Sequence, residues 1–269
     1  MKILYIADLV GRPGRFMFKY HISHIKEKFA PDLIIMNAEN ASHGFGLSEK
    51  NAKELFGAGV DLFTGGNHSW DKKDIIPFLE TEPILRPLNY PKASPGRGVE
   101  YLKIGDETLV VINLMGYYCM PMVDNPFTMV IEEVKKLRDK GYKNIFIDFH
   151  AEATSEKRAL FAMLKSRVSA ICGSHTHVGT DDLVIEDGTF YVTDVGLTGC
   201  RDNIIGMDIK QPLEKFLTGM SGKFEVSNNC KKILQGVIFE IKDGRCIEAF
   251  KIKAYDEGSV EISQRAIKE

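Results

Sequence analysis

The 269-residue sequence predicts an α/β fold with a largely parallel sheet, followed by antiparallel hairpins in its last third. Three observations lead there. Short apolar runs alternate with amphipathic stretches through most of the chain, and each run stops at a polar residue. Beyond about residue 182 the runs come in pairs around Asp-Gly turns.

Taken in order, "MKILYIADL", "DLIIMNAEN" and "GVDLFTGGNH" are Ile- and Leu-rich runs of strand length, apolar enough to be buried on both faces. "SEKNAKELFGAG" reads as a helix with Ser48 as N-cap, Ala52, Leu55 and Phe56 on one face, and glycines at its end. "VVINLMG", "NIFIDFH" and "VSAICGSH" are three further strands. Between them, "NPFTMVIEEVKKLRDKG" starts at Asn125-Pro126, places Phe127, Val130, Val134 and Leu137 at helical spacing, and stops at Gly141. "SEKRALFAMLKSR" is another helix, with Leu160, Met163, Leu164 and Val168 on its buried side. "LVIEDGTFYVTDVG" and "GVIFEIKDGRCIEAFKIKA" are the two hairpins. The glycine-rich, polar stretch 197–230 between them has no clear periodicity and reads as an elaborated surface loop next to the site of a single domain, residues 1–269.

Composition sets the class. Hydrophobic residues at 44% and charged residues at 27% are ordinary for a soluble globular protein, and a net charge of -2 gives no global attraction to nucleic acid or anionic membrane. The apolar run Met1–Ala7 breaks at Asp8, short of a signal-peptide core or a spanning helix. Five scattered cysteines without a C-x-x-C pair argue against a disulfide framework or a cysteine zinc site and place the chain in a reducing cytoplasm. Each is expected to be a small buried hydrophobe. Cys200 stays open, because it lies in the glycine-rich stretch.

The functional signal is at the strand ends, where open α/β sheets bind ligands. The residues there are Asp8, Glu39, Asn40, Asn67, His68, His150, His175 and His177. Every one offers a carboxylate oxygen, an amide oxygen or an imidazole nitrogen. That mixture suits borderline divalent metals such as manganese, iron or zinc, and two ions sharing a carboxylate would use the whole set. His175 and His177 are two apart, so on a strand they point the same way and on a turn they can reach neighbouring ions. Other chemistries lack their motifs. "GRPGR" does not have the spacing of a phosphate-binding loop, no G-x-G-x-x-G or G-x-S-x-G occurs, and "HAEAT" is not H-E-x-x-H. His21, His24 and His43 are read as surface or packing residues, and Trp70 as a packing residue that could border the pocket. Arg12 and Arg15, just beyond Asp8, either meet phosphate or belong to a solvated loop.

Asp8, "EN" at 39–40, "GNH" at 66–68, His150 and "GSHTH" resemble the calcineurin-like metallophosphoesterases, whose pattern is D-x-H, G-D, G-N-H-[ED], a lone H, and G-H-x-H. Val10 stands where that pattern has histidine, Glu39-Asn40 replaces the G-D aspartate, and Ser69 replaces the final acid. With those departures, "NAENASHGFG", "DFHAEATSEK" and "GLTGCRDNIIGMD" resemble the YmdB-type bacterial phosphodiesterases over essentially the whole chain. The resemblance implies a four-layer αββα sandwich of two mixed β-sheets flanked by helices. It implies hydrolysis of phosphodiesters, notably 2′,3′-cyclic nucleotides to 3′-nucleotides, at a dinuclear centre of iron or manganese, with zinc as the alternative. Asp8, Asn40 and His177 would hold one ion, Asn67, His150 and His175 the other, and Glu39 would bridge them, the Asn40 amide standing in for the missing imidazole at Val10. A link to RNA turnover comes with the same resemblance. A closed homo-oligomer is an expectation from general symmetry alone.

Two cations roughly 3.5–4 Å apart would activate a bridging hydroxide and clamp the phosphoryl oxygens. His68, next to a ligand but on the other side of the backbone, would protonate the leaving oxygen. The "GGNH" stretch then has a reason: glycines for close approach, Asn67 for metal and His68 for substrate. Two alternatives remain at this point. One is a dinuclear phosphomonoesterase, favoured if Arg12, Arg15, Arg201 or Lys72 enter the pocket. The other is a regulatory RNA-associated protein with a vestigial metal centre.

Overall fold

The computed structural model describes residues 1–220 and 222–269; Ser221, inside the stretch 197–230, lies outside the described residues. The chain runs through β1 (Lys2–Ile6), α1 (Gly11–Phe29), β2 (Leu33–Asn37), α2 (Glu49–Gly57) and β3 (Leu62–Thr64) into α3 (Ile76–Thr81). A hairpin of β4 (Val99–Ile104) and β5 (Glu107–Met115) leads to α4 (Pro126–Asp139), β6 (Asn144–His150), α5 (Thr154–Leu164) and β7 (Ala170–Ser174). Then come β8 (Val184–Glu186), β9 (Thr189–Val192), the two-residue β10 (Gly199–Cys200) and α6 (Lys210–Thr218). The chain finishes with β11 (Lys232–Lys242), β12 (Arg245–Tyr255), β13 (Glu261–Arg265) and β14 (Ile267–Lys268).

The apolar runs divide between two sheets instead of sharing one. The first is ordered β13-β12-β11-β1-β2-β3, with β10 attached to β11; the second is ordered β14-β8-β9-β7-β6-β5-β4. In the first, β1-β2-β3 is a parallel run that ends at the sheet edge, and β1-β11-β12-β13 is antiparallel; in the second, β5-β6-β7-β9 is parallel, with antiparallel neighbours β4 and β8 on either side and β14 parallel to β8. Alternation along a strand sends neighbouring side chains to opposite faces. Ile3 and Tyr5 therefore face the second sheet, where they join Val111, Phe146 and Phe190, while Leu4 and Ile6 pack beneath Phe18 and Ile22 of α1. On the far side, Val110, Ile112, Ile145 and Ile147 lie under Val130 and Val134 of α4 and Leu160 of α5. The result is the four-layer αββα sandwich.

Local signals explain most boundaries. The Ser48 side chain accepts from Asn51 N at the start of α2, and Asn125 caps α4 by accepting from the Phe127 and Thr128 amides, with Pro126 at the first turn. Asp187-Gly188 and Asp243-Gly244 all have positive φ, the conformation of a tight hairpin turn. Leu160 and Leu164 are buried on α5, and Val168 is buried just past its end.

Three readings are corrected. Arg12 and Arg15 lie on the first turns of α1, not on a loop; the helix is fixed by Phe18, Ile22, Ile25 and Phe29, buried at helical spacing. The stretch 197–230 contains α6, where Leu213, Phe216 and Leu217 recur at helical spacing on an exposed face and little beyond Pro212 is buried. Cys200 and Cys230 form a disulfide, against the expectation of isolated thiols. The cause is topological, since Gly199 and Cys200 pair with Ile233 and Lys232 and so return the loop to its own start. Among the described residues, no helix is long and apolar enough to cross a membrane.

Past β7 the chain turns sharply, with His175 and His177 both at positive φ. A buried ion pair holds this turn. Lys157 Nζ donates to Asp194 Oδ2 and to Ser174 O, both at 2.8 Å, and Asp194 also accepts from the Thr176 amide and hydroxyl. Removing one partner of such a pair strands the other charge in a medium that cannot solvate it. Lys157→Ala is therefore expected to lower unfolding free energy by ~3–5 kcal/mol, read from urea denaturation. A loss under ~1 kcal/mol would show that the pair does not hold the turn.

Candidate functional site

The parallel strands of both sheets end at one edge of the sandwich, and the loops that follow them bring the polar residues together. Asp8, two residues past β1, is fully buried. The chain there is pinned by Val10 N to Thr198 O and Thr198 N to Asp8 O, both 2.9 Å. Gly14 allows this, because a Cβ there would strike the Thr198 carbonyl. Asp8 Oδ2 accepts from His175 N at 2.8 Å and faces His177 Nε2 at 3.3 Å, while Oδ1 has no partner. Glu39 and Asn40 follow β2. Asn40 donates its amide to Gly44 O at 2.9 Å, which leaves its Oδ1 buried and unpartnered.

The second sheet supplies His150, the last residue of β6. Its Nε2 lies 2.9 Å from Glu39 Oε1, 3.2 Å from Asn67 Oδ1 and 3.1 Å from His175 Nδ1. One atom each from Glu39, His150 and His175 fall within 4.8 Å of one another, close enough to hold a single ion. The nitrogens facing away from this cluster are all tied to oxygen. His150 Nδ1 is 3.0 Å from Ser174 Oγ, whose hydrogen goes to Asp148 Oδ1 at 2.7 Å. His175 Nε2 reaches Glu152 at 3.1 Å, and His177 Nδ1 donates to Ile205 O at 2.7 Å. Each tie directs the other nitrogen inward, where its lone pair would serve a cation that displaces any proton held there.

The charges around the cluster follow from these contacts. Burial alone would push the His150 imidazole down, but the Glu39 carboxylate beside it prevails and lifts it to about 9. Burial, reinforced by His150, pushes His175 down to about 3, so its ring is neutral near pH 7. Burial would raise both carboxylates, yet the hydrogen bond from His177 keeps Asp8 below the usual range, and His150 does the same for Glu39. Ionised carboxylates, a neutral imidazole and two orphaned buried oxygens fit a divalent cation.

Asn67 and His68 diverge. The His68 amide donates to Glu39 Oε2 at 3.0 Å, while its ring turns away to meet Asp71 at 2.8 Å and the edge of Phe45. It lines a cavity of about 250 Å³ with Glu39, Asn40, His175 and His177, closed on the other side by apolar residues of the stretch 197–230, Met207 and Phe224 among them. All eight strand-end residues thus gather at one edge. His43 stands apart from the cluster and is exposed, His21 is buried against Asp256 O, and Trp70 packs on Tyr90. The reading of the strand ends missed Asp148, Ser174 and Asn37, which sit behind His150. A signal existed for Asp148: in "NIFIDFH" it is an acid two residues before His150, hence on the same face.

The sequence model of the YmdB-like protein family matches residues 4–253. The chain belongs to the YmdB-like family. It is 45% identical over 245 residues to the 2′,3′-cyclic-nucleotide 2′-phosphodiesterase of Bacillus subtilis, covering 90% of this chain and 92% of that protein. Among solved structures it resembles a hypothetical protein from Thermus thermophilus, with a TM-score of 0.90, 37% identity, and coverage of 95% and 100% of the two chains. It also resembles a phosphatase from Mycoplasma pneumoniae, with a TM-score of 0.90, 34% identity, and coverage of 95% and 93%.

In this YmdB-like chain, Gly66 sits where a Cβ would overlap both the His150 ring and the Glu39 carboxylate. Gly66→Ala is expected to keep the circular dichroism of the folded protein and to lose most of its bound metal, measured by elemental analysis after loading with manganese. Metal content equal to that of the unsubstituted protein would show that Gly66 is not required for the approach.

Proposed function

We propose that the chain is a metal-dependent phosphodiesterase that opens 2′,3′-cyclic nucleotides at the bond to O2′, leaving the 3′-nucleotide. The observation that carries this reading is the set of three imidazoles, each tied at its outer nitrogen and directing the other toward buried carboxylate and amide oxygens. The activity named for the Bacillus subtilis relative, 2′,3′-cyclic-nucleotide 2′-phosphodiesterase, supports the substrate class. Two ions are proposed, iron or manganese, with zinc as the alternative. Asp8, Asn40 and His177 would hold one, Asn67, His150 and His175 the other, with Glu39 between them. The unpartnered Asp8 Oδ1 and Asn40 Oδ1 support the first group, and the convergence on His150 Nε2 supports the second.

Bound divalent ions supply a water of lowered pKa and positive charge for the phosphoryl oxygens. The protein's own groups do the rest. The Ser174 and Asp148 side chains hold the His150 ring in place, and Ile205 O holds that of His177. Phosphorus is attacked from the cluster side, in line with the departing O2′. As the P–O2′ bond breaks, charge builds on that oxygen and His68 delivers a proton to it. The Asp71 carboxylate, 2.8 Å from its Nδ1, orients the opposite nitrogen.

The cations support a diester. Arg12, Arg15 and Lys72 do not line the cavity at the cluster, and Arg201 covers the Tyr255 ring. Among the described residues, Lys215 is the lysine or arginine that lines it, and a dianionic monoester calls for more.

His68→Ala is expected to retain its metal and to lose roughly 10²–10⁴ in kcat. Glu39→Ala is expected to lose at least one ion together with activity. The pair is checked by elemental analysis beside steady-state hydrolysis of adenosine 2′,3′-cyclic phosphate. Parallel loss of metal and activity in His68→Ala would move that residue from proton donor to ligand.

A further inference from the structure

A second, larger cavity adjoins the first. Its volume is about 850 Å³, and Phe45 and Phe224 border both spaces. The cavity at the cluster, about 250 Å³, falls below the ~300–1,000 Å³ common for ligand sites, whereas the adjoining one lies within that range. The neighbour is basic: Arg12, Arg15, His43, Lys72 and Lys223 line it, with Glu225 as the acid among its walls. Glu225 is paired with Lys223 at 3.1 Å, and Arg15 is paired with Glu54 at 3.3 Å. Arg12 and Lys72 enter no ion pair among the described residues. A chain of net charge -2 thus keeps two unmatched cations in a cavity next to its reaction site. Neither packing nor the hydrolysis of one phosphate requires them.

Building on the phosphodiesterase reading, we propose that this cavity is a subsite for a second phosphate of the substrate. In a 2′,3′-cyclic nucleotide both ring oxygens belong to the reacting phosphate, so a second one can be attached only at the 5′ position. Arg12 and Lys72 bind that 5′-phosphate by charge-assisted hydrogen bonds. Phe45 and Phe224, on the boundary, give the base an aromatic surface between the two phosphates. The preferred substrate is therefore a cyclic nucleotide carrying a 5′-phosphate. That phosphate is either terminal or the link to a preceding nucleotide.

Binding of the corresponding products separates this proposal from the activity itself. Calorimetry on the manganese-loaded protein would compare adenosine 3′-phosphate with adenosine 3′,5′-bisphosphate, in the unsubstituted chain and in Arg12→Ala/Lys72→Ala. The bisphosphate is expected to bind about ten- to a hundredfold tighter to the unsubstituted chain. This advantage should shrink in the double variant and in raised salt. Equal affinity of the two nucleotides for the unsubstituted chain, or an undiminished advantage in the variant, would overturn the subsite. Hydrolysis of adenosine 2′,3′-cyclic phosphate and of a dinucleotide ending in the same cyclic phosphate is measured alongside. A higher kcat/KM for the dinucleotide assigns the bound phosphate to a linkage; equal values with the bisphosphate advantage intact assign it to a terminal group. No hydrolysis of either would remove the phosphodiesterase reading while the calorimetry still decides the subsite.

Discussion

The contact of 2.9 Å between Glu39 and His150 joins one sheet to the other, and the site depends on it. Glu39 leaves the first sheet after β2, and His150 ends β6 in the second. Around them other polar groups cross the same seam. Asn37 reaches Asp148 at 3.1 Å, and Asn113 exchanges hydrogen bonds with both the N–H and the C=O of Gly65. Burying polar groups between two sheets is costly unless each finds a partner. Here most do; Tyr5 Oη, Thr64 Oγ1, Asp8 Oδ1 and Asn40 Oδ1 do not, and the last two belong to residues that would hold a cation. The seam is apolar through most of its depth, with Tyr5, Phe146 and Phe239 packed ring to ring, and becomes polar at this edge.

The strand ends were legible because chemistry and burial conflict there. An apolar run ending in Asp8, in Glu39-Asn40 or in His150 places a polar group at the lip of a core, and eight such residues agree. The groups behind them were harder to read. Ser174 is an ordinary strand residue until its hydroxyl is seen between Asp148 and His150, and Lys157 gives no sign on α5 that its ammonium is buried beside Asp194. Helix α1 was obscured by "GRPGR", where Gly11 at φ +58 and Pro13 look like a turn, although Pro13 is tolerated in a first helical turn. The two sheets came from the family resemblance, since runs of Ile and Leu do not say which strands are neighbours.

The stretch from β10 to β11 is where this chain shapes its own cavity. It contributes the carbonyl of Ile205 to His177 and the apolar wall opposite the cluster, and the Cys200–Cys230 bond closes it at the base. Phe224 then stands between a small space lined by the cluster and a large basic one. A cluster common to a family can serve different substrates when only such a wall differs, because binding surface away from the reacting bond decides what reaches it.

The most direct test is to strip the protein with a chelator, reload it with manganese, and resolve by chromatography the products formed from adenosine 2′,3′-cyclic phosphate. Adenosine 3′-phosphate is expected in the reloaded sample and no product in the stripped one. Formation of the 2′-phosphate would contradict the bond assignment. No product at all, with manganese verified as bound, would contradict the phosphodiesterase reading itself.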